Sequence, residues 1–305
     1  MRRKRNFYHT GLDISRSELA WVRNPNITGA NDYVVDGNVS TSGDGSIDYP
    51  MSSFEEAIAA SNASIKLAQN RWWARRNRIF LMGDTLTEDL TQLPTKCDVI
   101  GIGSYDGNTQ PGLYGHHSSA AEAYGTRFYN VNFKAKAHAS SVFTLVGAIT
   151  NNASGIEFHS CTADATLGTV TNFITSTAMP GLVVNDCDFY GTFAAGYITF
   201  GAGEAGKARI INNRMLGTAA KGIIVPSGVT ASWMPLIDNN IIRATGMWID
   251  DDASIFYVTN NRGITDINTG TSTAGYTFNI QLAAGNIQMG ATGLCDWIPF
   301  AKIAE

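Results

Sequence analysis

Two groups of aspartates have the spacing that carboxylate chemistry requires. Asp186 and Asp188 flank Cys187, and alternation along a strand would place both carboxylates on one side, about 7 Å apart. A glycosidase uses such a pair as acid and base, whereas a polysaccharide lyase needs a metal on acidic groups and a basic proton acceptor. No further catalytic motif accompanies the pair, so we favour solvated corner residues without enzymatic activity; a hydrolase or lyase is the alternative.

The second group consists of the consecutive residues Asp250, Asp251 and Asp252, whose carboxylates repel one another unless a cation neutralises them. They are candidate metal ligands, although an exposed turn without a ligand is the favoured interpretation. The four cysteines lack CxxC spacing and have no histidines at metal-ligand intervals, so we expect no cofactor. We expect buried thiols instead, and leave open whether Cys161 and Cys187 are bonded.

Basic and aromatic residues form the strongest candidate surface for a partner. The cluster consists of Arg71, Trp72, Trp73, Arg75, Arg76 and Arg78. Protein interfaces are enriched in Trp and Arg, so we expect a protein contact; closure of the hydrophobic core is the second possibility, and nucleic acid is the least favoured. A second basic group, Arg2, Arg3, Lys4 and Arg5, begins the chain and favours an acidic partner.

A repeat in the sequence indicates which elements position these residues. Aligned as one column, Val131, Cys161, Cys187, Asn213, Asn240 and Asn261 are separated by 30, 26, 26, 27 and 21 residues. Short β-branched runs at this period are typical of a parallel β-solenoid, whereas hairpins recur roughly every 8 to 12 residues. We therefore predict an all-β fold, a right-handed parallel β-helix. Asn suits its corners because it tolerates left-handed backbone and stacks its amide on the next coil. Antiparallel strands joined by Asn-rich turns are the alternative.

The segment before the repeats contains four motifs in a fixed order: Gly-Asp-Gly-Ser-Ile-Asp-Tyr-Pro at 43–50, a helix opened by the capping box of Ser53 and Glu56, a strand ending in Gly-Asp at 83–84, and Cys-Asp-Val-Ile-Gly-Ile-Gly at 97–103. This arrangement resembles the opening of proteins in the pectate-lyase-like right-handed parallel β-helix superfamily. The helix would cover the open end of the core. We predict an irregular N-terminal arm at 1–50, a capping helix and junction at 51–78, the parallel β-helix at 79–265, and a C-terminal cap or oligomer contact at 266–305.

The resemblance implies a fold more than a function, because the superfamily includes lyases, glycosidases, adhesins and phage appendages. We expect a structural virion protein of a bacteriophage-like particle, either a capsid decoration (cement) protein or a tail appendage. The arm would bind other virion proteins, and the chain would form a homotrimer. A tail spike that binds or depolymerises host surface polysaccharide is the alternative, and a bacterial adhesin is a third possibility. No signal peptide and no apolar run of about 18 residues is recognised, so we expect synthesis in a host cytoplasm and no membrane contact.

Overall fold

A computed structural model describes most of the chain. The described residues are 30–67, 76–103, 110–119, 125–137, 140–147, 155–253, 255–263, 266–268, 276–277, 280–283 and 286–289. The basic residues at 2–5, the cluster members at 71–75, Cys295 and the end of the predicted C-terminal cap at 290–305 lie outside them. Among the described helices, none is long and apolar enough to cross a membrane.

The described chain is a parallel β-helix, as the repeat predicted, and each coil runs through three sheets in turn. Sheet A contains β1 (Asp32–Asp36), β2 (Asn77–Met82), β4 (Cys97–Gly101), β7 (Thr126–Tyr129), β10 (Ile156–His159), β13 (Val183–Asn185), β17 (Arg209–Ile211), β22 (Leu236–Asp238), β25 (Tyr257–Thr259) and β28 (Tyr276–Thr277), in that order across the sheet.

The other sheets follow the same order of coils. Sheet B contains β3 (Leu86–Thr87), β5 (Gly112–Tyr114), β8 (Asn132–Lys134), β11 (Thr162–Val170), β14 (Asp188–Phe193), β18 (Arg214–Met215), β23 (Ile241–Ile242), β26 (Arg262–Gly263), β29 (Ile280–Ala283) and β30 (Asn286–Met289), with β19 (Thr218–Ala219) also paired to β14. Sheet C contains β6 (His117–Ser118), β9 (Phe143–Val146), β12 (Ile174–Thr177), β15 (Ile198–Phe200), β20 (Ile223–Val225), β24 (Met247–Asp251) and β27 (Asp266–Asn268). A small pair, β16 (Gly203–Glu204) with β21 (Val229–Thr230), completes the strands of the described residues.

Neighbouring coils pair in parallel, which stacks equivalent side chains along the axis. Among the described strands, β29 and β30 are the one antiparallel pair. Strand β1 was not predicted, because it lies in the range that we assigned to the arm. It pairs in register with β2, and Asp32 lies opposite Arg78. The first coil therefore begins before the helix rather than after it.

The core is a column of apolar side chains that alternation directs inward from all three sheets. Its centre is aromatic: Phe128 stacks on Phe158 of the next coil at 5.3 Å between ring centroids. Phe143 of sheet C meets both Phe133 and Phe158 edge-on, at 4.9 and 5.0 Å. Such ring pairs add about 0.5–1.5 kcal/mol each beyond the burial of their area.

One helix, α1 (Phe54–Leu67), packs against β1 and β2 at the N-terminal end of sheet A. The apolar stripe that the sequence indicated is buried and consists of Phe54, Ala57, Ile58, Ser61 and Ile65. The Glu56 N–H donates to Ser53 Oγ at 3.4 Å, as a capping box requires, but the Glu56 carboxylate accepts from the Ser42 hydroxyl. Glu88, which follows β3, accepts the Phe54 and Glu55 N–H groups at 2.8 Å and joins the helix to the first coil.

Two-residue corners join sheet A to sheet B in six successive coils, and their two positions have different tasks. The first residue has a positive φ of 48 to 59°, at Asn130, Ser160, Asp186, Asn212, Asn239 and Asn260. The second residue is buried, and these residues are the predicted column from Val131 to Asn261. From the repeat, we expected one column to perform both tasks. The left-handed turn belongs to the preceding residue, while the column itself supplies the buried stack.

The buried column contains an amide ladder in its later coils. Asn213 N and Nδ2 both donate to Asn240 Oδ1, at 3.0 and 2.9 Å, and Asn240 donates in the same way to Asn261 Oδ1. Each of these amides also donates to a backbone carbonyl of the preceding coil, as Asn213 does to Val184 O at 2.9 Å. Every side-chain polar atom in this ladder therefore has a partner, which burial requires.

Candidate functional site

The outward face of sheet B brings together carboxylates, a tyrosine and an arginine from neighbouring coils. The register places Asp164 opposite Tyr190, and Asp188 opposite Arg214. Alternation turns the intervening Ala163 and Phe189 into the core, so the four polar side chains share the outer face. We call this set the sheet B cluster.

Asp188 is the most constrained member of the sheet B cluster. Its side chain is 10 % exposed, Arg214 Nε lies 3.6 Å from Oδ1, and the Tyr190 hydroxyl donates to Oδ2 at 3.2 Å. Burial and the neighbouring Asp188 charge raise the pKa of Tyr190, so this hydroxyl keeps its proton at neutral pH. The carboxylate of Asp188 thus has its charge paired with Arg214 and a hydrogen bond from Tyr190 within the same chain.

Asp164 is the second carboxylate of this face, and it was not among the residues predicted from the sequence. Strand spacing puts its Cα about 8 Å from that of Asp188, one coil and two residues away. Its Oδ1 accepts from Thr166 N at 2.9 Å and from Thr166 Oγ1 at 2.5 Å. The aligned column contained the signal, because Asp164 follows Cys161 by three residues just as Tyr190 follows Cys187.

The predicted pair of Asp186 and Asp188 is not arranged on one strand. Asp186 occupies the left-handed corner position with φ 55°, and this turn interrupts the alternation on which the expected 7 Å spacing rested. Asp186 Oδ2 accepts from Ser160 Oγ at 2.9 Å, so it is tied to the corner of the preceding coil. Asp188 is the first residue of β14.

The candidate metal ligands Asp250, Asp251 and Asp252 point to different environments. Asp250 is buried and forms an ion pair with Lys221 of the preceding coil, while Asp251 is buried and accepts from Phe256 N at 3.2 Å. Asp252 is exposed. Within the described residues, no group of three or more His, Cys, Asp or Glu side chains has the arrangement that could hold a metal ion.

The two described members of the basic cluster, Arg76 and Arg78, are paired within the chain. Arg76 Nη1 lies 2.9 Å from Asp98 Oδ1 and 2.7 Å from Gly125 O. Arg78 is buried and binds both oxygens of Asp32, with Nε 2.7 Å from Oδ1. The charges of these two residues are thus paired with carboxylates of the first coils.

The pairing continues along sheet A as a row of alternating charge. Across the coils the register aligns Asp32, Arg78, Asp98, Arg127 and Glu157. Arg127 forms a two-bond contact with Asp98, at 2.7 and 2.8 Å. Burial acts to lower the pKa of Arg127, but the contact with Asp98 outweighs it and raises that pKa.

Comparison of the chain with known protein families, curated proteins and solved structures finds no match. In the described coils, charged side chains are grouped on two outward faces. The row on sheet A is neutralised internally, and the sheet B cluster displays two carboxylates, a phenol and a guanidinium across about 10 Å.

Cys161 and Cys187 occupy the same buried column and are free thiols, as is Cys97. Each Sγ points at a backbone carbonyl of the preceding coil, Phe128 O for Cys161 and Phe158 O for Cys187, both at 3.6 Å. Burial raises the pKa of the Cys187 thiol well above its usual value. The thiols thus stand where the later coils place an amide nitrogen, which makes them structural residues.

Proposed function

We propose that this chain is a non-catalytic structural component of a bacteriophage-like particle, either a capsid decoration protein or a tail appendage. The observation that carries the proposal is the state of the candidate carboxylates. Asp186, Asp188, Asp250 and Asp251 are each held by a partner in the same chain. A stack of coils whose polar groups are hydrogen-bonded suits a rigid spacer. The sequence resembles the pectate-lyase-like superfamily, which includes phage appendages of this kind.

Attachment through the N-terminal segment is part of this proposal. Because β1 starts at Asp32 and pairs with β2, a truncation must stop before residue 30 to leave the first coil intact. Tagged full-length chain and a chain lacking residues 1–29 would be produced in cells that assemble the particle, followed by gradient purification. We expect the full chain to sediment with particles and the truncated chain to remain soluble and folded by circular dichroism. Absence of the full chain from particles would refute the proposal, and equal binding of the truncated chain would refute attachment through this segment.

A second candidate function is binding or depolymerisation of a host surface polysaccharide, and the sheet B cluster favours it. With Cα atoms about 8 Å apart on one face, Asp164 and Asp188 could bring their carboxyl groups to the separation of roughly 6.5–9.5 Å that flanks a glycosidic bond in an inverting glycosidase. Tyr190, 37 % exposed, would stack on a sugar ring, and Arg214 would bind hydroxyl or carboxylate groups.

The enzyme hypothesis has a direct test. The purified protein would be incubated with capsule or lipopolysaccharide of the host, and the length of the polysaccharide would be followed by size-exclusion chromatography. Shortening that is lost in Asp188→Asn and in Asp164→Asn, but retained in the matched corner variant Asp186→Asn, would establish the enzyme. If the wild-type protein leaves the polysaccharide length unchanged, the depolymerase hypothesis is excluded and the structural function remains.

A further inference from the structure

Two exposed apolar patches of opposite charge lie on different parts of the described chain. The acidic patch consists of Asp44, Ile47, Asp48 and Tyr49, in the segment between β1 and α1. The basic patch consists of Lys207, Arg209, Trp233 and Met234, in the coils that contain β17 and β22. Ile47 and Tyr49 are 78 % and 68 % exposed, and Trp233 and Met234 are 63 % and 75 % exposed. These are four of the five most exposed large apolar side chains in the described chain.

The acidic patch is displayed on a loop that its backbone holds in place. Gly45 N donates to Tyr49 O at 3.0 Å, and Val34 N of β1 donates to Gly45 O at 2.7 Å. Asp44 Oδ1 accepts from Ser46 N, and these hydrogen bonds lower the pKa of Asp44, so its carboxylate is charged at neutral pH. The exposed side chains therefore extend from an ordered support.

The basic patch is supported in the same way. Glu204 accepts from Ser232 N at 2.7 Å, from Ser232 Oγ at 2.9 Å and from Gly206 N at 2.8 Å, which joins two successive coils. Lys207 N donates to Trp233 O, and the Lys207 ammonium lies 5.2 Å from the centre of the Trp233 ring. Because the support is ordered before any contact, binding here would cost little conformational entropy.

The basic patch also has charges that the chain does not neutralise. Among the described residues, no carboxylate lies within ion-pair distance of Lys207 or Arg209. The acidic patch offers the missing charges, since Asp44 and Asp48 are exposed and form no ion pair with a described residue. Trp, Tyr, Met and Arg are the residues that protein interfaces enrich, and the apolar side chains supply the area that charges alone would not.

From these observations we infer that the basic patch of one copy of this chain binds the acidic patch of a second copy. The contact is heterologous, because the two patches differ and lie at different heights along the coil axis. A heterologous contact closes into a ring when the rotation between copies allows it and otherwise continues as a fibre. The inference concerns assembly of the chain with itself and holds whether or not the chain attaches to a particle.

Two variants, each with one patch disabled, test the pairing. Asp48→Lys disables the acidic patch and Arg209→Glu disables the basic patch, while each leaves the other patch intact. Sedimentation velocity of the full chain over a range of concentration would show oligomers for the wild type and monomers for either variant alone. A 1:1 mixture of the two variants would form oligomers again, because each contact in an alternating assembly pairs either the two intact patches or the two reversed charges.

Leu167→Ser is the matched control, because Leu167 is 67 % exposed and lies outside both patches. It should assemble like the wild type. The double variant Trp233→Ser with Met234→Ser should be monomeric at low and high salt, whereas the wild-type assembly should weaken as salt rises. A monomeric wild type, oligomers in either charge variant alone, or a mixture that stays monomeric would each overturn the inference. Circular dichroism of every variant would check that the fold is retained.

Discussion

The coils before and after residue 180 hold themselves together by different means. In the N-terminal coils, with sheet A strands β1, β2, β4, β7 and β10, outward Arg and Asp side chains pair along the axis, as Arg127 does with Asp98. In the C-terminal coils, with β13, β17, β22 and β25, the corner amides of Asn213, Asn240 and Asn261 bond to one another instead. Along sheet A and its corners, the bonds between coils thus change from outward charge pairs to buried amides.

This difference has a consequence for the surface. In the C-terminal coils Arg214 and Lys221 still pair with carboxylates of neighbouring coils, but Lys207, Arg209, Arg243 and Arg262 have no carboxylate at ion-pair distance among the described residues. In the N-terminal coils the corresponding Arg side chains are already bonded. Contacts of the described chain with other molecules are therefore expected at the basic patch of the C-terminal coils and at the acidic patch before α1, while the sheet B cluster spans the boundary between the two sets of coils.

Removing the charge at the centre of the N-terminal row should have the largest effect on stability. Asp98→Asn would leave Arg76 and Arg127 beside a neutral amide, and breaking a buried charge pair in this way costs about 3–4 kcal/mol. The matched variant Asp238→Asn removes a half-buried carboxylate of the C-terminal coils and should cost less than about 0.5 kcal/mol. Urea unfolding followed by circular dichroism gives both values. Equal losses in the two variants would contradict the contrast between the two sets of coils.

Acid should weaken the N-terminal coils through His117. This side chain is 2 % exposed, lies 4.9 Å from the Phe143 ring, and has its pKa lowered by burial to about 3. The unfolded chain binds a proton near pH 6.5, so the stability from neutral His117 is complete above that pH and is lost as the pH falls towards 3.

The measurement compares the wild type with His117→Leu, which cannot titrate. Between pH 7 and pH 4 the free energy of unfolding of the wild type should fall by roughly 2–3 kcal/mol more than that of the variant. Urea unfolding at pH 7, 5.5 and 4 checks this. Parallel pH profiles of the two proteins would show that His117 is not the titrating group.

The sequence predicted the coil period and the buried column because stacking repeats one side-chain type at one interval, as with Asn213, Asn240 and Asn261. It also predicted α1, since a helical stripe and a capping residue are local signals. It did not predict β1, because each residue of this strand pairs with a β2 residue 46 positions further along, and such a distant partner leaves no local pattern in the sequence. The pairing of Asp98 with Arg76 and Arg127 was missed for the same reason, because outward charges show no period until the coils are in register.

Interrupting the amide ladder should cost about 2 kcal/mol. Asn240→Val keeps nearly the same volume but leaves the Asn213 backbone and side-chain N–H groups without their Asn240 acceptor in a buried site. Val occupies the same column at Val131 in the N-terminal coils, so the penalty arises from the lost bonds rather than from the shape of the residue. Thr218→Val, at an exposed position of the C-terminal coils, should change the free energy of unfolding by less than about 0.5 kcal/mol. A loss of similar size in both variants would show that the hydrogen bonds of the ladder do not contribute to the free energy of unfolding.

Extending the ladder towards the N-terminal coils should have the smallest effect and the opposite sign. In Cys187→Asn, the new Nδ2 would donate to Phe158 O, where the thiol now points, and the new Oδ1 would accept from the Cys161 N–H, which now meets sulfur. Replacing weak sulfur hydrogen bonds by two amide bonds should stabilise the chain by about 1 kcal/mol. Cys187→Val, which has neither bond, should be less stable than the wild type. If Cys187→Asn also proves less stable, the amide ladder depends on the backbone geometry of the C-terminal coils. The difference between the two sets of coils near residue 180 would then lie in the backbone and not only in the side chains.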